Sequence, residues 1–304
     1  MAACLGVAVA LCLLSVAVAY NNGAANSLLP PLGWSSWVAL GPGSDHPIFD
    51  YCDEFSVKAS VDAFIEVGLY DAGYRHFHLD DCWAGGRNAS GYLYAEVDHF
   101  PNGMVILRIA FKVFRYKSLA LIFYSLFINS TLLYSQAPVI EYAHSKGLTF
   151  GLYTCGGTYT CVGQRPGSKD HWQQDADVWA EWGVDWVKMD WCNTQGMDVK
   201  TSYKSMSTAL NASGRHIHFN MCEWGLETPW EWGNGVAQSW RMSGDHTGNW
   251  LSTKSGIAQS AAIPPQYTGV PWGWNDMDML ETGCRGQCAH ANNKAQNMSG
   301  QCVF

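Results

Sequence analysis

The chain has 304 residues and a formal net charge of −8, and it contains 14% charged and 13% aromatic residues, with 15 tryptophans. This length suits one large α/β domain or two smaller ones, each with a full hydrophobic core. The negative charge argues against a nucleic-acid partner, because phosphate binding requires a basic surface. The many flat tryptophan faces fit a carbohydrate cleft, although core packing is the simpler explanation for most of them.

Residues 1–19 are predicted to be a secretory signal peptide. The apolar run 5–19 ends in Ala17-Val18-Ala19, which fits the small-x-small cleavage rule, and it is too short to span a membrane. Two of the eleven cysteines, Cys4 and Cys12, lie in this leader. The nine that remain would meet an oxidising compartment, so they are disulfide candidates with at least one left unpaired. Sequons for N-glycosylation, which fit a secreted glycoprotein, occur at Asn88, Asn129, Asn211 and Asn297.

Short apolar strands alternate with helical segments along most of the remaining chain. Strands are predicted near 32–37, 75–80, 148–154, 184–190, 216–222, 238–243 and 272–275. Helices are predicted near 54–68, 138–146, 171–182 and 200–211. This alternation indicates a parallel sheet. Because acids recur at the carboxyl ends of the strands, a (β/α)8 barrel is favoured over a doubly wound sheet.

Two segments break the alternation. Residues 105–136 are apolar and basic without a single acid, and their uncharged run 118–128 is too short for a membrane span. We interpret this tract as a foreign insertion, such as an untranslated segment read through in the gene model. Residues 284–304 form a divergent tail. Its Cys284, Cys288 and His290 could together bind zinc, but their irregular spacing and a secreted setting favour a disulfide of the cysteines. The predicted organisation is a leader, a catalytic barrel over 20–283 interrupted at 105–136, and this tail.

The strand predicted over 184–190 ends in Asp190, with Lys188 two positions earlier. Burial of an acid is costly, so a strand rarely ends this way unless the charge is used. Side chains alternate along a strand, so Lys188 faces the same side and is expected to lower the pKa of Asp190, which suits a nucleophile. Asp245 follows Arg241 near the end of a later strand and is the candidate partner acid, since paired carboxylates carry out glycoside hydrolysis. Two structural ion pairs are the open alternative.

Other predicted strand ends carry further candidates. Asp80 and Asp81 could bind either a hard metal ion or the hydroxyls of a sugar, and the lack of further acids at ligand spacing favours hydroxyls. Trp37 suits a stacking platform and a core position equally well. Glu223 and Asp278 also follow apolar runs, so the acids of several strands are expected to meet in one pocket.

Eight segments together resemble the α-galactosidases of glycoside hydrolase family 27. They run in the family's order over roughly residues 28–283, and each is a short motif with a distinctive composition. The segments are PPLGWSSW (30–37), LDDCW (79–83), FPNGM (100–104), HSKGL (144–148), KMD (188–190), CEWG (222–225), SWR (239–241) and WNDMDML (274–280).

The resemblance implies a (β/α)8 barrel followed by a small antiparallel β domain. It also implies release of terminal α-galactose with retention of configuration, without a metal or cofactor. Asp190 is then the nucleophile and Asp245 the acid/base. The implied sugar-binding residues are Asp80 and Asp81 for O4 and O6, Lys188 and Arg241 as hydroxyl-binding cations, Trp37, Tyr153 and Asp278 in the pocket wall, and Glu223 for O2.

The resemblance also implies two disulfides and shows where this chain departs from the family. The implied pairs are Cys161 with Cys192, and Cys82 with Cys52 as its nearest candidate. Cys155 stands where many relatives have an aspartate, so one pocket contact differs. The last barrel strand, the last helices and the C-terminal β domain have no counterpart after residue 283, which predicts an incomplete barrel of about seven strands with unpaired edges.

The predicted function is that of a retaining exo-glycosidase that hydrolyses terminal α-D-galactosyl residues of oligosaccharides or glycoconjugates. The alternatives are an α-N-acetylgalactosaminidase or another α-glycosidase on this scaffold, and an inactive sugar-binding remnant. The expected partners are α-galactoside substrates, with no nucleic acid and no membrane after removal of the leader; a homodimer is left open. The expected location is outside the cell or in a lysosome or vacuole, reached through the secretory pathway.

Overall fold

The protein is described by a computed structural model that covers residues 23–24, 27–40, 52–104, 138–163, 165–267, 269 and 272–281. The predicted leader, the insertion at 105–136 and the tail at 284–304 lie outside the described residues, as do Asn129 and Asn297. The two sequons within the described part, at Asn88 and Asn211, both have exposed asparagines.

A curled sheet of seven parallel strands forms the centre of the molecule and corresponds to an incomplete barrel. Its strands, in spatial order, are β1 (Gly33–Ser35), β2 (His76–Leu79), β5 (Thr149–Cys155), β6 (Trp186–Asp190), β7 (His218–Cys222), β8 (Ser239–Arg241) and β9 (Trp274–Asp276). Each of them falls within or next to a strand predicted from the sequence. The prediction of an incomplete (β/α)8 fold with about seven strands is confirmed.

Helices follow most of these strands and cover the outer face of the sheet. They are α1 (Trp37–Leu40), α2 (Glu54–Glu66), α3 (Val139–Ser145), α4 (Trp172–Trp182), α5 (Val199–Ala212), α6 (Pro229–Trp232) and α7 (Trp250–Ala262). A 3-10 turn covers Pro265–Tyr267. The sequence predicted α2 to α5 but missed α1, α6, α7 and an antiparallel hairpin formed by β3 (Ala84–Arg87) and β4 (Leu93–Ala95).

Side-chain alternation along the strands separates a hydrophobic layer from a polar barrel interior. Phe77, Phe150, Val187 and Phe219 are buried in the layer between the sheet and the helices. The residues that alternate with these apolar ones point to the opposite face. One of them is Lys188, which follows Val187, and this face is polar. Since successive side chains point to opposite faces of a sheet, this period of two carries the functional groups inward while the helices cover the apolar face.

Local signals set the ends of the longer helices. The side chains of Asp53, Asp198 and Asn249 accept hydrogen bonds from backbone N–H groups three residues later, at the starts of α2, α5 and α7. Such caps satisfy N–H groups that the first helical turn leaves unpaired. Helix α4 ends at Gly183, whose φ of 79° is readily adopted only by glycine.

The amino ends of the strands are tied to the start of the described chain. Ser27 Oγ lies 2.8 Å from His218 Nδ1, and the indole N–H of Trp274 donates to Ser27 O at 2.9 Å. The His218 ring stacks on Trp186 with a centroid distance of 3.6 Å, and its Nε2 lies 2.8 Å from Ser239 Oγ. This end of the barrel is therefore filled by a plug of buried Ser27 and His218 with half-buried Trp186 and Trp274, away from the acids at the other end.

Among the helices of the described ranges, none has both the length and the apolar content needed to cross a lipid bilayer.

Candidate active site

The strand register brings the predicted site residues to one end of the barrel. Asp190 pairs with Cys155 on one side and with Cys222 on the other, so these three residues lie side by side at the carboxyl ends of β5, β6 and β7. Asp80 directly follows β2, and Arg241 ends β8. The carboxyl ends of parallel strands are where enzymes of barrel type place their catalytic groups.

Asp190 is buried and held by two hydrogen bonds. The Tyr153 hydroxyl donates to its Oδ2 at 3.1 Å, and the Trp191 N–H donates to its Oδ1 at 2.9 Å. Burial raises the pKa of Asp190 above its ordinary value, and the opposing charge of Lys188 does not fully offset this. Lys188 therefore lowers this pKa as expected, but the net shift is upward, because loss of hydration outweighs the attraction of the cation.

Lys188 is bonded to Asp80 instead. Its Nζ lies 3.0 Å from Asp80 Oδ2, and the Asp81 N–H donates to Asp80 Oδ1 at 2.8 Å. Burial acts to raise the pKa of Asp80, but Lys188 and His78 outweigh it and hold that pKa below its ordinary value. Because an ammonium group already contacts this carboxylate, the pair is better suited to bind hydroxyls than a hard metal ion.

Asp81, the neighbour of Asp80, has the opposite electrostatic setting. Its side chain is buried, and its Oδ2 accepts a long hydrogen bond of 3.5 Å from the Val162 N–H. Burial and the adjacent Asp80 charge raise the pKa of Asp81 from 3.8 to about 7. The two adjacent acids therefore differ in charge near neutral pH, which allows one to accept and the other to donate a hydrogen bond.

The pKa of Asp81 predicts a pH-dependent contribution to stability. A folded-state pKa above the unfolded value means that this contribution is complete below about pH 4 and is lost as the pH rises through about 7. Asp81→Asn has the same shape and does not titrate. We expect the variant to melt with the wild type below about pH 4, and roughly 5 °C above it at pH 8. If the melting temperatures of the variant and the wild type differ by the same amount at every pH, the pKa of Asp81 is not raised.

Arg241 joins two acids on the other side of the site. Its Nη2 lies 3.0 Å from Asp245 Oδ1 and 3.0 Å from Asp278 Oδ2. Asp278 is nearly buried at 7% exposure of its side chain, whereas Asp245 is 53% exposed. Burial raises the pKa of Asp278, against the opposing charge of Arg241. Asp245 is thus the acid of this group with open access to solvent and to a bound ligand.

Glu223 and Trp37 complete the set predicted from the sequence. Glu223 is buried, its Oε2 accepts from the Glu227 N–H at 2.9 Å, and its Oε1 has no hydrogen-bond partner among the described residues. Burial raises the pKa of Glu223 to about 7. Trp37 lies just beyond β1 and is half-buried, and in the described ranges its side chain has no ring or hydrogen-bond contact with the other site residues.

The structure has both predicted cysteine pairs at disulfide distance. The Cα atoms of Cys52 and Cys82 are 6.2 Å apart, and those of Cys161 and Cys192 are 5.0 Å apart. Cys155 is a buried free thiol that donates to Cys192 O and accepts from the Cys192 N–H, each at 3.1 Å. At position 155 this chain therefore has a thiol that holds the segment just after Asp190.

Several polar residues of the site were missed in the sequence. Asn220 Nδ2 donates to Asp276 Oδ2 at 3.0 Å and to Ser239 Oγ at 2.8 Å. Ser36 Oγ accepts from the Asp80 N–H at 2.8 Å, and His78 Nε2 lies 3.3 Å from Asp80 Oδ2. The alternation of strand residues was the available signal, since His78 and Asn220 both occupy inward positions that alternate with buried apolar residues of their strands.

Comparison with known proteins identifies similar chains. Residues 132–299 match the family model described as alpha galactosidase A. The chain is 37% identical over 264 residues to alpha-galactosidase A of Cellvibrio japonicus, covering 84% of this chain and 55% of the relative. It is 39% identical over 257 residues to the alpha-galactosidase of Cyamopsis tetragonoloba, covering 84% and 52%. The chain thus spans about half the length of the curated relatives it matches.

Solved structures give the same picture. Alpha-galactosidase I from Mortierella vinacea superimposes with a TM-score of 0.69 at 28% identity, over 87% of this chain and 62% of that one. The alpha-galactosidase of Saccharomyces cerevisiae superimposes with a TM-score of 0.66 at 30% identity, over 84% and 53%.

Proposed function

Because this chain belongs to the alpha galactosidase A family, we propose that it hydrolyses terminal α-D-galactosyl residues of oligosaccharides or glycoconjugates with retention of configuration. The observation that carries the proposal is Asp190 at the end of β6, buried and fixed by the Tyr153 hydroxyl and the Trp191 N–H. A carboxylate held in one orientation is suited to attack a single carbon, since positioning contributes much of the rate of such a step.

The reaction takes two displacements. In the first, Asp190 attacks the anomeric carbon and forms a covalent glycosyl-enzyme, while Asp245 gives a proton to the leaving oxygen. In the second, Asp245 takes a proton from water, and this water displaces Asp190 and releases galactose. The exposure of Asp245 supports its role, because it has to meet both the leaving group and water.

The remaining residues would hold the galactosyl ring. Asp80 accepts and protonated Asp81 donates at O4 and O6, while Lys188 and Arg241 add donors to the hydroxyls. Glu223 reads O2, and its buried Oε1, which has no partner among the described residues, supports this assignment because a sugar hydroxyl would satisfy it. Trp37, Tyr153 and Asp278 form the wall of the pocket. None of these steps requires a metal or a cofactor.

The proposal extends to the cellular setting and to assembly. Secretion, or delivery to a lysosome or vacuole, is supported by the leader-like segment 1–19, the exposed sequons at Asn88 and Asn211 and the two cysteine pairs. The alternative that the chain forms a homodimer is tested by its mass in solution.

Covalent trapping tests the proposed reaction directly. A galactosyl donor with fluorine beside the anomeric carbon and a reactive leaving group destabilises the oxocarbenium-like transition states, so the glycosyl-enzyme accumulates. The label is expected on the peptide that contains Asp190. A label on another peptide would contradict the assignment of the nucleophile, and a failure to label or turn over any α-galactoside would contradict the function.

Glu223 is expected to select galactose over N-acetylgalactosamine. An acetamido group at carbon 2 is larger than a hydroxyl, and related α-N-acetylgalactosaminidases carry a smaller residue at this place. Glu223→Ser should lower kcat/KM for an aryl α-galactoside by about 10²-fold, because the hydroxyl loses a buried partner. The same variant should gain activity on the matching N-acetylgalactosaminide. Unchanged selectivity in rate assays with both substrates would show that Glu223 does not read O2.

A further inference from the structure

His78 is a mostly buried residue next to the site, and the proposed function gives it no role. It lies on β2, two positions before Asp80, so both side chains point into the barrel. Only 13% of the His78 side chain is exposed, and both of its ring nitrogens are shielded from solvent. A polar ring in such a place needs a partner, because an unsatisfied buried nitrogen is costly.

The nearest polar contact of His78 is the carboxylate of Asp80. His78 Nε2 lies 3.3 Å from Asp80 Oδ2, the same oxygen that lies 3.0 Å from Lys188 Nζ. Within the described part of the chain, neither ring nitrogen completes a hydrogen bond of regular geometry. Hydrogen bonds in a site are often long or poorly aligned without substrate and tighten in the complex, so the contact fits a bond that closes on binding.

The fold leaves room for this ring. Gly151 pairs with His78 in the sheet, and a Cβ atom at Gly151 would lie 2.7 Å from His78 Nδ1 and 3.0 Å from Trp186 Cβ. Any larger residue at position 151 would therefore require the His78 ring or Trp186 to shift. The imidazole and Trp186 together therefore account for the glycine, since a strand interior otherwise disfavours glycine.

The charges around His78 favour a neutral ring that donates one proton. Burial lowers the pKa of His78, and the Lys188 ammonium acts in the same direction, against Asp80 and Asp276. A neutral imidazole has one N–H, and the contact with Asp80 requires it on Nε2. Asp80 Oδ2 then accepts hydrogen bonds from Lys188 Nζ and His78 Nε2, and Asp80 Oδ1 accepts one from the Asp81 N–H.

We propose that His78 is a positioning residue that fixes the Asp80 carboxylate, so that a single acceptor site on Asp80 Oδ1 points at a sugar hydroxyl. A carboxylate offers about four lone-pair sites, and the protein fills three of them in this arrangement. This inference rests on the proposed function, in which Asp80 binds galactose. His78 touches no reacting atom and acts through Asp80 alone.

Two substitutions at one position test the inference. His78→Leu removes the N–H at similar bulk, whereas His78→Gln keeps an N–H near the place of Nε2. For the leucine variant we expect galactose binding about tenfold weaker, by quenching of tryptophan fluorescence, with KM raised and kcat within about threefold. The glutamine variant should recover most of the affinity. Equal losses in both variants, or no loss in either, would overturn the proposal.

A second background shows whether His78 acts through Asp80. In Asp80→Asn the acceptor charge is gone, so His78→Leu should then weaken galactose binding by less than about twofold beyond Asp80→Asn alone. The same tenfold loss in both backgrounds would assign His78 a role independent of Asp80.

The hydrogen bond itself can be observed without turnover. Nitrogen NMR of the ring in the full chain should show the Nε2–H tautomer of His78, with an N–H resonance that shifts in Asp80→Asn. A ring that carries its proton on Nδ1 would overturn the proposal even if the enzyme is active. If the wild type neither binds galactose nor cleaves α-galactosides, the proposed function fails, while this measurement still decides the contact.

Discussion

Replacement of Asp190 by asparagine is expected to lower kcat on an aryl α-galactoside by about 10⁴-fold or more. The amide has the shape of the carboxylate and keeps the Tyr153 and Trp191 contacts in reach, but it cannot form the glycosyl-enzyme. Release of the aryl alcohol measures the loss. Asp177→Asn, on the exposed face of α4, is the matched control and should leave the rate unchanged.

The Asp190 variant should also be at least as stable as the wild type. A buried acid whose pKa is raised by loss of hydration is a cost to the folded state, and the amide removes it. Thermal melts of the two proteins compare their stabilities. A variant that keeps substantial turnover would refute the nucleophile, and one that fails to melt cooperatively would show that the residue is needed for folding.

Replacement of Asp245 by asparagine should have an effect that depends on the leaving group. Loss of a general acid and base lowers kcat by about 10²–10⁴-fold. The first step needs a proton on an alkyl or sugar oxygen, but a nitrophenolate leaves without one. We therefore expect formation of the glycosyl-enzyme to be slowed much less for nitrophenyl galactoside than for a disaccharide.

The two steps separate in a rapid-mixing experiment. With the nitrophenyl substrate, the Asp245 variant should give a burst of nitrophenolate and then a slow phase, because water still lacks its base in the second displacement. Asp278→Asn is a useful comparison, since it keeps the fold of the loop but removes the other acid bonded to Arg241. An equal loss on every leaving group would contradict the acid/base role of Asp245.

The strands and the main helices were predictable because their patterns are local. Strand β6 has a buried apolar face and ends in a carboxylate, and helix α5 begins after the cap Asp198 and presents an apolar stripe. Period-two and period-3.6 patterns of this kind need no knowledge of distant residues. The same patterns placed Asp80, Asp190 and Arg241 at the ends of parallel strands, which meet at one end of the barrel.

The missed elements have no such pattern. Helix α7 carries only Gly256 as a buried residue, so it has no apolar stripe to reveal it. The first strand of the hairpin, β3, has Gly85 and Gly86 at its centre, and glycine is atypical of strands. The hairpin turns at Asn88, whose Oδ1 accepts from two backbone N–H groups.

The electrostatics of the site depend on partners far apart in the sequence. Lys188 was expected to act on Asp190 because both lie on β6, and its charge does lower the pKa of Asp190. Its Nζ, however, bonds Asp80, which is 108 positions away. Asp80 then keeps its charge while Asp81 gains a proton near neutral pH. Spacing along one strand shows which side chains face the pocket, but the depth of burial and the choice of ion-pair partner arise only in three dimensions.

The plug that contains Ser27 affects how the chain folds during synthesis. Ser27 bonds His218 and Trp274, which follow it by 191 and 247 positions. The segment around Ser27 leaves the ribosome long before its partners exist, so its hydrogen bonds to them form only after β9 has been synthesised. Contacts between residues so far apart in the sequence slow folding, and aggregation-prone intermediates with exposed hydrophobic surface then persist for longer. Chaperones that bind the nascent chain are thus expected to matter most for the segment around Ser27.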